Sequence, residues 1–252
     1  KALEITGGGN PLLYPQINDV IKTAHRLGYD IGIISNSVSP GKFLTKESAS
    51  YLTWYRVSVS AHHNIPNFNH KMYDLSIIPE GVLSFSYVIN KATTKEILLD
   101  LIELVKTRPD TKFVRICPDY LDDDMISTYR KDWEPLIEEV DKSGKFFFKE
   151  LLASCTAYPH FCGIGMIRPY ICEDGYIYMC SSFVLRHRKL EPQYRFGHIT
   201  DVRGAYRKAN RLFRKTGVPY AAPISECWHC QLGSNNKFLH TMLREMEDKN
   251  FA

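Results

Sequence analysis

The residues best suited to chemistry lie toward the two ends of the chain. Near the start, Gly7, Gly8 and Gly9 end a short β-type run over residues 3–6 and lead through Asn10-Pro11 into an amphipathic helical pattern. Glycine is required where backbone takes φ > 0, or where it lies against a ligand with no Cβ between them. A strand that ends in such a loop and hands over to a helix leaves free N–H and C=O groups at the carboxyl edge of a parallel sheet. That edge is where α/β folds bind small molecules. Toward the other end, Cys227-Trp-His-Cys230 is a Cys-x2-Cys knuckle, a tight turn that lets two thiolates grip one metal centre. Upstream, Cys162 and Cys180 flank the turn Glu173-Asp174-Gly175 with seventeen residues between them. Four thiolates complete a tetrahedral zinc site or hold a 4Fe–4S cluster, and spacing alone leaves both open.

Composition narrows the setting. The 252 residues, 44% hydrophobic, suit one large domain or one domain with a smaller companion. A net charge of +4 does not by itself imply nucleic acid. No run of about 18 apolar residues occurs, so no membrane span is expected. Seven cysteines, at 117, 155, 162, 172, 180, 227 and 230, are an odd count without a visible export signal. A reducing, cytoplasmic location and metal ligation are therefore expected rather than disulfides. The chain opens at Lys1 inside what reads as a strand, and a preceding segment is expected.

The elements that position these groups follow from periodicity. Ile17, Val20, Ile21, Ala24 and Leu27 recur at helical spacing, with Gly28 as the stop. Residues 30–36 form a short apolar run of the kind buried on both faces. A second helix is expected over residues 40–52, an alternating strand over 55–60, and a further strand over 83–89. Residues 95–106 form an amphipathic helix, residues 112–117 a strand, and residues 132–140 another helix. This strand–helix alternation predicts an α/β fold with a parallel sheet, open or curled into a partial (β/α) barrel. From Cys155 the chain is rich in cysteine and aromatic residues. Short strands are expected at 166–171 and 176–179, then a helix over 200–215 and a final amphipathic helix with Phe238, Met242 and Met246 on one stripe. The boundary falls near residue 150, giving a core over 1–150 and a small cysteine-rich α+β domain over 151–252.

Thr6-Gly-Gly-Gly-Asn-Pro-Leu-Leu13 resembles the Gly-Gly-Glu-Pro loop of radical S-adenosylmethionine (SAM) enzymes. In that family the loop follows the second barrel strand and holds the amino group of the SAM methionine. Asn10 stands where the family usually has Glu: its carbonyl still accepts a hydrogen bond from an ammonium group, without charge assistance. Cys162, Gly175, Cys180 and Cys227-x2-Cys230 resemble the twitch extension of the same family, the shortened relative of the SPASM domain, and in particular that of its 2-deoxy-scyllo-inosamine dehydrogenases. There the four cysteines carry an auxiliary 4Fe–4S cluster. Phe196-Gly-His-Ile199 is similar to the Leu-Gly-Asn-Ile segment that follows the hairpin in these domains.

The resemblance implies SAM as a cofactor, contacted by Gly7, Gly8, Gly9 and Asn10. Asn36, Ser58 and Ser60 at strand ends would join it, with Ser58-Val-Ser60 in place of the family's Ser-x-Asp strand. Val88 would lie against adenine near Asn90. It also implies a SAM-cleaving 4Fe–4S cluster, whose Cys-x3-Cys-x2-Cys motif occurs nowhere in residues 1–252. In the family that motif precedes the glycine loop, so residues 1–150 match the core without its first strand and cluster loop. The implied activity is generation of a 5′-deoxyadenosyl radical that abstracts hydrogen from a small-molecule, peptide or nucleotide substrate. A reductant protein such as flavodoxin or ferredoxin would feed it, and the auxiliary cluster would accept an electron or brace the site. Two rivals are a zinc-stabilised module binding nucleic acid through the basic segment 203–215, and an inactive scaffold that keeps the fold.

Other residues carry paired readings. His62, His63 and His70 amid Asn64, Asn67 and Asn69 suit a second metal site, a substrate loop or plain polar loops. Asp119, Asp122, Asp123 and Asp124 orient a substrate or cap a helix before Met125. Cys155 is an alternative ligand, Cys172 a packed thiol, and Cys117 faces the site or the core. Arg203, Arg207, Lys208, Arg211, Arg214 and Lys215, with Arg186, Arg188 and Lys189, form a solvated face or a contact for an acidic partner.

Overall fold

A computed structural model describes residues 1–7, 9–62, 65, 68–119, 122–149, 161–178, 180–181, 192–219 and 233–245. The chain divides into two compact units, Lys1–Glu150 and Leu151–Ala252. The first unit alternates β1 (Ala2–Ile5), α1 (Ile17–Arg26), β2 (Asp30–Ser35), α2 (Lys46–Ser50), β3 (Leu52–Ser58), β4 (Leu83–Ile89), α3 (Lys95–Thr107), β5 (Val114–Pro118), α4 (Asp123–Val140) and β6 (Phe146–Phe148). The six strands pair in sequence order, every pair parallel. The fold is α/β.

This order has a strong consequence. Crossovers between parallel strands are right-handed, so strands added always on the same side carry all their helices on one face. Alternate residues bear this out. Ile31, Ile33, Tyr55, Val57, Leu83, Phe85, Tyr87, Ile89, Val114, Ile116 and Phe148 are buried in one core with Ile17, Ile21 and Ala24 of α1, Leu98, Leu101, Ile102 and Val105 of α3, and Tyr129 and Ile137 of α4. The intervening residues belong to the opposite face and join no part of that core. They include Glu4, Gly32, Trp54, Arg56, Ser58, Ser84, Ser86, Val88, Arg115 and Cys117. A bulge between Ile31 and Gly32 sets this alternation on β3, and the Thr53 hydroxyl accepts the Ile31 amide at 3.1 Å.

Several elements differ from the periodic expectation. Residues 40–52 do not form one helix: Pro40–Lys42 is a 3₁₀ turn, Thr45 caps α2 by accepting the Ser48 amide at 3.1 Å, and Leu52 already pairs with Ile31. The strand expected over 55–60 begins earlier and stops at Ser58, and Val59–His62 turns away as a 3₁₀ helix. The helix expected over 132–140 begins at Asp123, with Asp122 as its cap, and runs through Pro135.

In the second unit, β7 (Tyr170–Ile171), β8 (Tyr176–Tyr178) and β9 (Arg195–His198) form an antiparallel sheet. With it come α5 (Ile164–Ile167), α6 (Val202–Thr216) and α7 (Gly233–Glu245). Residues 166–171 are therefore helix end and short strand rather than one strand. On α7 the expected apolar stripe is not the buried side. Phe238 is 63% exposed and Met242 39%, whereas Asn236 is 2% exposed; Met246 lies outside the described residues. Among the described residues no helix is long and apolar enough to cross a membrane.

One ion pair locks the long β3–β4 connection. Arg108 donates to the Leu75 and Ile78 carbonyls at 2.8 and 3.3 Å and grips Asp110 through Nε and Nη2 at 2.8 and 2.9 Å. Asp110 also accepts the Gly81 amide at 3.1 Å. The hydrogen bonds from Arg108 hold the Asp110 carboxyl down at about 2, below the ordinary 3.8. A depressed carboxyl contributes stability that is complete above the unfolded value and lost as pH falls through the folded one. Asp110→Asn is expected to cost about 1–2 kcal/mol at pH 7, allowing for solvent screening. The difference from wild type should shrink as pH falls from about 4 to about 2. Urea denaturation at stepped pH checks this, and a pH-independent difference would contradict it.

Candidate functional site

The carboxyl edge of β1 opens into the glycine loop. Neither Gly7 nor Gly9 has the positive φ that would demand glycine, and a Cβ built on either meets nothing within 4 Å. Neither conformation nor packing among the described residues explains them; Gly8 lies outside those residues. Asn10 then caps the 3₁₀ turn Pro11–Leu13, accepting the Leu12 amide on Oδ1 at 3.1 Å. The same oxygen accepts a hydrogen bond from the Ser35 hydroxyl at 2.8 Å, and Ser35 Oγ accepts the Ser37 amide at 3.0 Å. Both lone pairs of the Asn10 carbonyl are thus engaged. The turn and the neighbouring strand use the carbonyl that the sequence reading assigned to an ammonium group, and Asn10 also carries its Nδ2 amide as a donor.

Ser35, 1% exposed at the end of β2, is the residue that sequence reading passed over. The signal was a lone hydroxyl closing an otherwise apolar strand, next to the Asn36 that was singled out instead. The half-buried Asn36 presents its carbonyl to His62. Ser58 ends β3 on the polar face, while Ser60 lies in the following 3₁₀ turn, so the two no longer share a strand face. Val88 lies on β4 directly beside Cys117 of β5.

The polar face below this edge was not anticipated. Gly32 has no Cβ because the Trp54 ring occupies that volume: a Cβ there would stand 1.9 Å from Trp54 Cε2. The Arg56 guanidinium lies 5.1 Å from the centre of the Trp54 ring and 5.6 Å from that of Phe113. Cys117, 1% exposed, donates its thiol to the Tyr87 carbonyl at 3.6 Å. Burial pushes this thiol up, against the opposing pull of Arg115, Lys149 and Arg56, so it is protonated at neutral pH. These basic residues were legible only as polar members of strand alternations.

In the second unit, Cys162 and Cys172 are buried in one apolar cluster, and Cys180 packs against it. Cys227, Cys230 and Cys155 lie outside the described residues. No disulfide engages the described cysteines. Cys172 is pushed up to about 11 by burial and by Glu173 and Asp174, which makes it a poor thiolate donor. Cys162 receives a hydrogen bond from Asn236 Nδ2 at 3.7 Å, and Asn236 Oδ1 accepts the Gly163 and Ile164 amides at 2.9 and 3.2 Å. Gly175, at φ +75°, turns the β7–β8 hairpin between them. Asp174 accepts from Tyr176 N and the Tyr178 hydroxyl at 2.9 and 2.7 Å, and Arg195 donates to that hydroxyl at 3.0 Å.

The remaining candidates have structural partners. His62 stacks on Phe68 and shares a hydrogen with the Tyr73 hydroxyl at 2.6 Å, while His70 meets Asp100 at 2.5 Å. His63, Asn64 and Asn67 lie outside the described residues. Among the described residues no three His, Cys, Asp or Glu side chains gather as a metal site. Asp122 caps α4 through the Met125 amide at 3.1 Å, as the cap reading requires. Arg203, Arg207, Lys208, Arg211, Arg214 and Lys215 are exposed on α6, as is Val202; Arg186, Arg188 and Lys189 lie outside the described residues. Compared with known proteins, the chain matches no family model, and no curated protein is significantly similar to it.

Ser35→Ala removes the bond across to Asn10 and strands the buried Ser37 amide. It is expected to lower unfolding free energy by about 1–2 kcal/mol. Denaturant titration measures this; unchanged stability would show that the loop is not anchored through Ser35.

Proposed function

We propose that this chain carries the SAM-binding sheet and the auxiliary-cluster unit of a radical SAM enzyme. One observation carries the reading. Gly7 and Gly9 stand at the carboxyl edge of a parallel sheet with open space where side chains would be and no conformational need for glycine. Bare backbone that the protein itself does not use is what close approach of a ligand requires. The sequential strand order supports a sheet that curls toward a partial barrel, with its helix-free face inward.

The residues present fit SAM in these terms. The Gly7 and Gly9 backbone would lie against the methionine portion, and the Asn10 amide would donate to its carboxylate. Ser58 and Val88 would line the nucleoside side, with Asn36 and Ser60 at the loops above. In the second unit, Cys162 and Cys180 would contribute two cluster thiolates, with Cys227 and Cys230 as their partners. The Asn236 N–H aimed at Cys162 is the kind of hydrogen bond that lowers charge on a ligating sulfur and tunes its centre. When loaded, SAM and a reducing 4Fe–4S cluster supply hydrogen abstraction from an unactivated carbon, and the thiolates for that cluster are not among residues 1–252. What the chain's own residues contribute is position and exclusion of water. Substrate and reductant partners remain those of the family resemblance, a small molecule, peptide or nucleotide and a flavodoxin- or ferredoxin-type donor. A reducing cytoplasmic setting suits thiols that form no disulfide among the described residues.

Calorimetric titration of the anaerobically purified protein with SAM tests this. Saturable binding is expected, weakened at least about tenfold by Gly9→Val, a change of about 1.4 kcal/mol. The Val side chain would project into open space and leave the melting temperature unchanged. Absence of binding, or equal binding by the variant, would overturn the reading.

A further inference from the structure

The helix-free face of the first unit carries a partly buried cation. Arg115 is the second residue of β5, and its Nε is buried yet finds no hydrogen-bond partner among the described residues. Strand register places it in a row with polar side chains: Ser58 lies beside Ser86, and Ser86 beside Arg115. Arg56, two residues before Ser58 on β3, is braced by the Trp54 and Phe113 rings. Arg56, Arg115 and Lys149 all act electrostatically on Cys117, and Asp119 acts on it in the opposite sense. Glu4 on β1 and Asp30 on β2 are carboxylates that alternate onto this face as well.

We infer that this face binds an anionic group of the substrate, a phosphate or carboxylate, with Arg115 as its principal contact and the Ser86 hydroxyl beside it. A guanidinium presents parallel N–H donors that match two oxygens of such a group. A buried N–H donor with no acceptor is unfavourable unless a ligand completes it, and an oxyanion completes both its charge and its hydrogen bonds. The site is separate from the place proposed for the SAM carboxylate. Asn10 follows β1, four strands away, on the order of 15–20 Å at ordinary strand spacing. The assignment of this anion to the substrate rests on the function proposed above; the binding site itself does not.

Titration calorimetry at low ionic strength, with inorganic phosphate and separately with succinate, tests the site. Wild type is expected to bind at least one of them saturably, and which one identifies the source of the oxyanion. Arg115→Gln should weaken that binding at least tenfold, and Arg115→Lys, which keeps charge but not the fork, should fall between. Arg211→Gln, on the exposed face of α6, should bind like wild type. Circular dichroism establishes that each variant is folded, and if Arg115→Gln is not, the Lys variant decides. Binding of neither anion, equal binding by the Arg115 variants, or equal loss in Arg211→Gln overturns the inference. SAM titrated into the same proteins keeps the two readings apart. Phosphate or succinate binding without SAM binding removes the proposed function and leaves the anion site standing.

Discussion

The structure of the first unit depends on handedness. Each parallel strand is laid beside its predecessor on the same side, so right-handed crossovers stack every helix on one face. That face takes the apolar half of each strand, from Ile31 and Ile33 to Val114 and Ile116. The other face is released from packing duty and can hold Arg56, Ser86, Arg115 and Cys117. The carboxyl edge is likewise left to loops. There the Ser35–Asn10 bond ties the end of β2 to the turn that follows the glycines. The open backbone of Gly7 and Gly9 therefore starts from a fixed base rather than a free loop.

Much of this was legible because local chemistry and global fold agree. The strand Leu83–Ile89 and the helix Lys95–Thr107 emerge from period and flanking turns alone. The β7–β8 turn announces itself through Asp174-Gly175, with Gly175 in the left-handed conformation. What stayed hidden depends on partners distant in sequence. The Asn10 carbonyl is tied to a hydroxyl 25 residues later in the chain. Likewise, Asn236 reads as one polar residue in an amphipathic helix, yet its side chain is spent on Gly163 and Cys162, more than 70 residues away. Alternation in Trp54-Tyr55-Arg56-Val57-Ser58 showed a strand, but not that its polar half shares a face with Ser86, Arg115 and Cys117. That needed the strand order.

The two thiol sets separate on the same grounds. Cys117 and Cys172 are held protonated, the first by burial against the opposing pull of basic neighbours, the second by burial and adjacent carboxylates. Cys162 is different, since its sulfur accepts an amide N–H supplied by a dedicated, buried Asn236. Sulfur that is solvated by a fixed donor suits a ligating thiolate. This contrast within one small unit supports the proposal of Cys162, and not Cys172, as a ligand beside Cys180.

The most direct measurement is metal and acid-labile sulfide content of the anaerobically purified protein, with Mössbauer spectroscopy of the iron-57-enriched form. The account predicts about four irons and four sulfides per chain with the spectrum of a 4Fe–4S centre. About one zinc per chain with no sulfide would contradict it, because the late cysteines would then brace a fold rather than carry electrons.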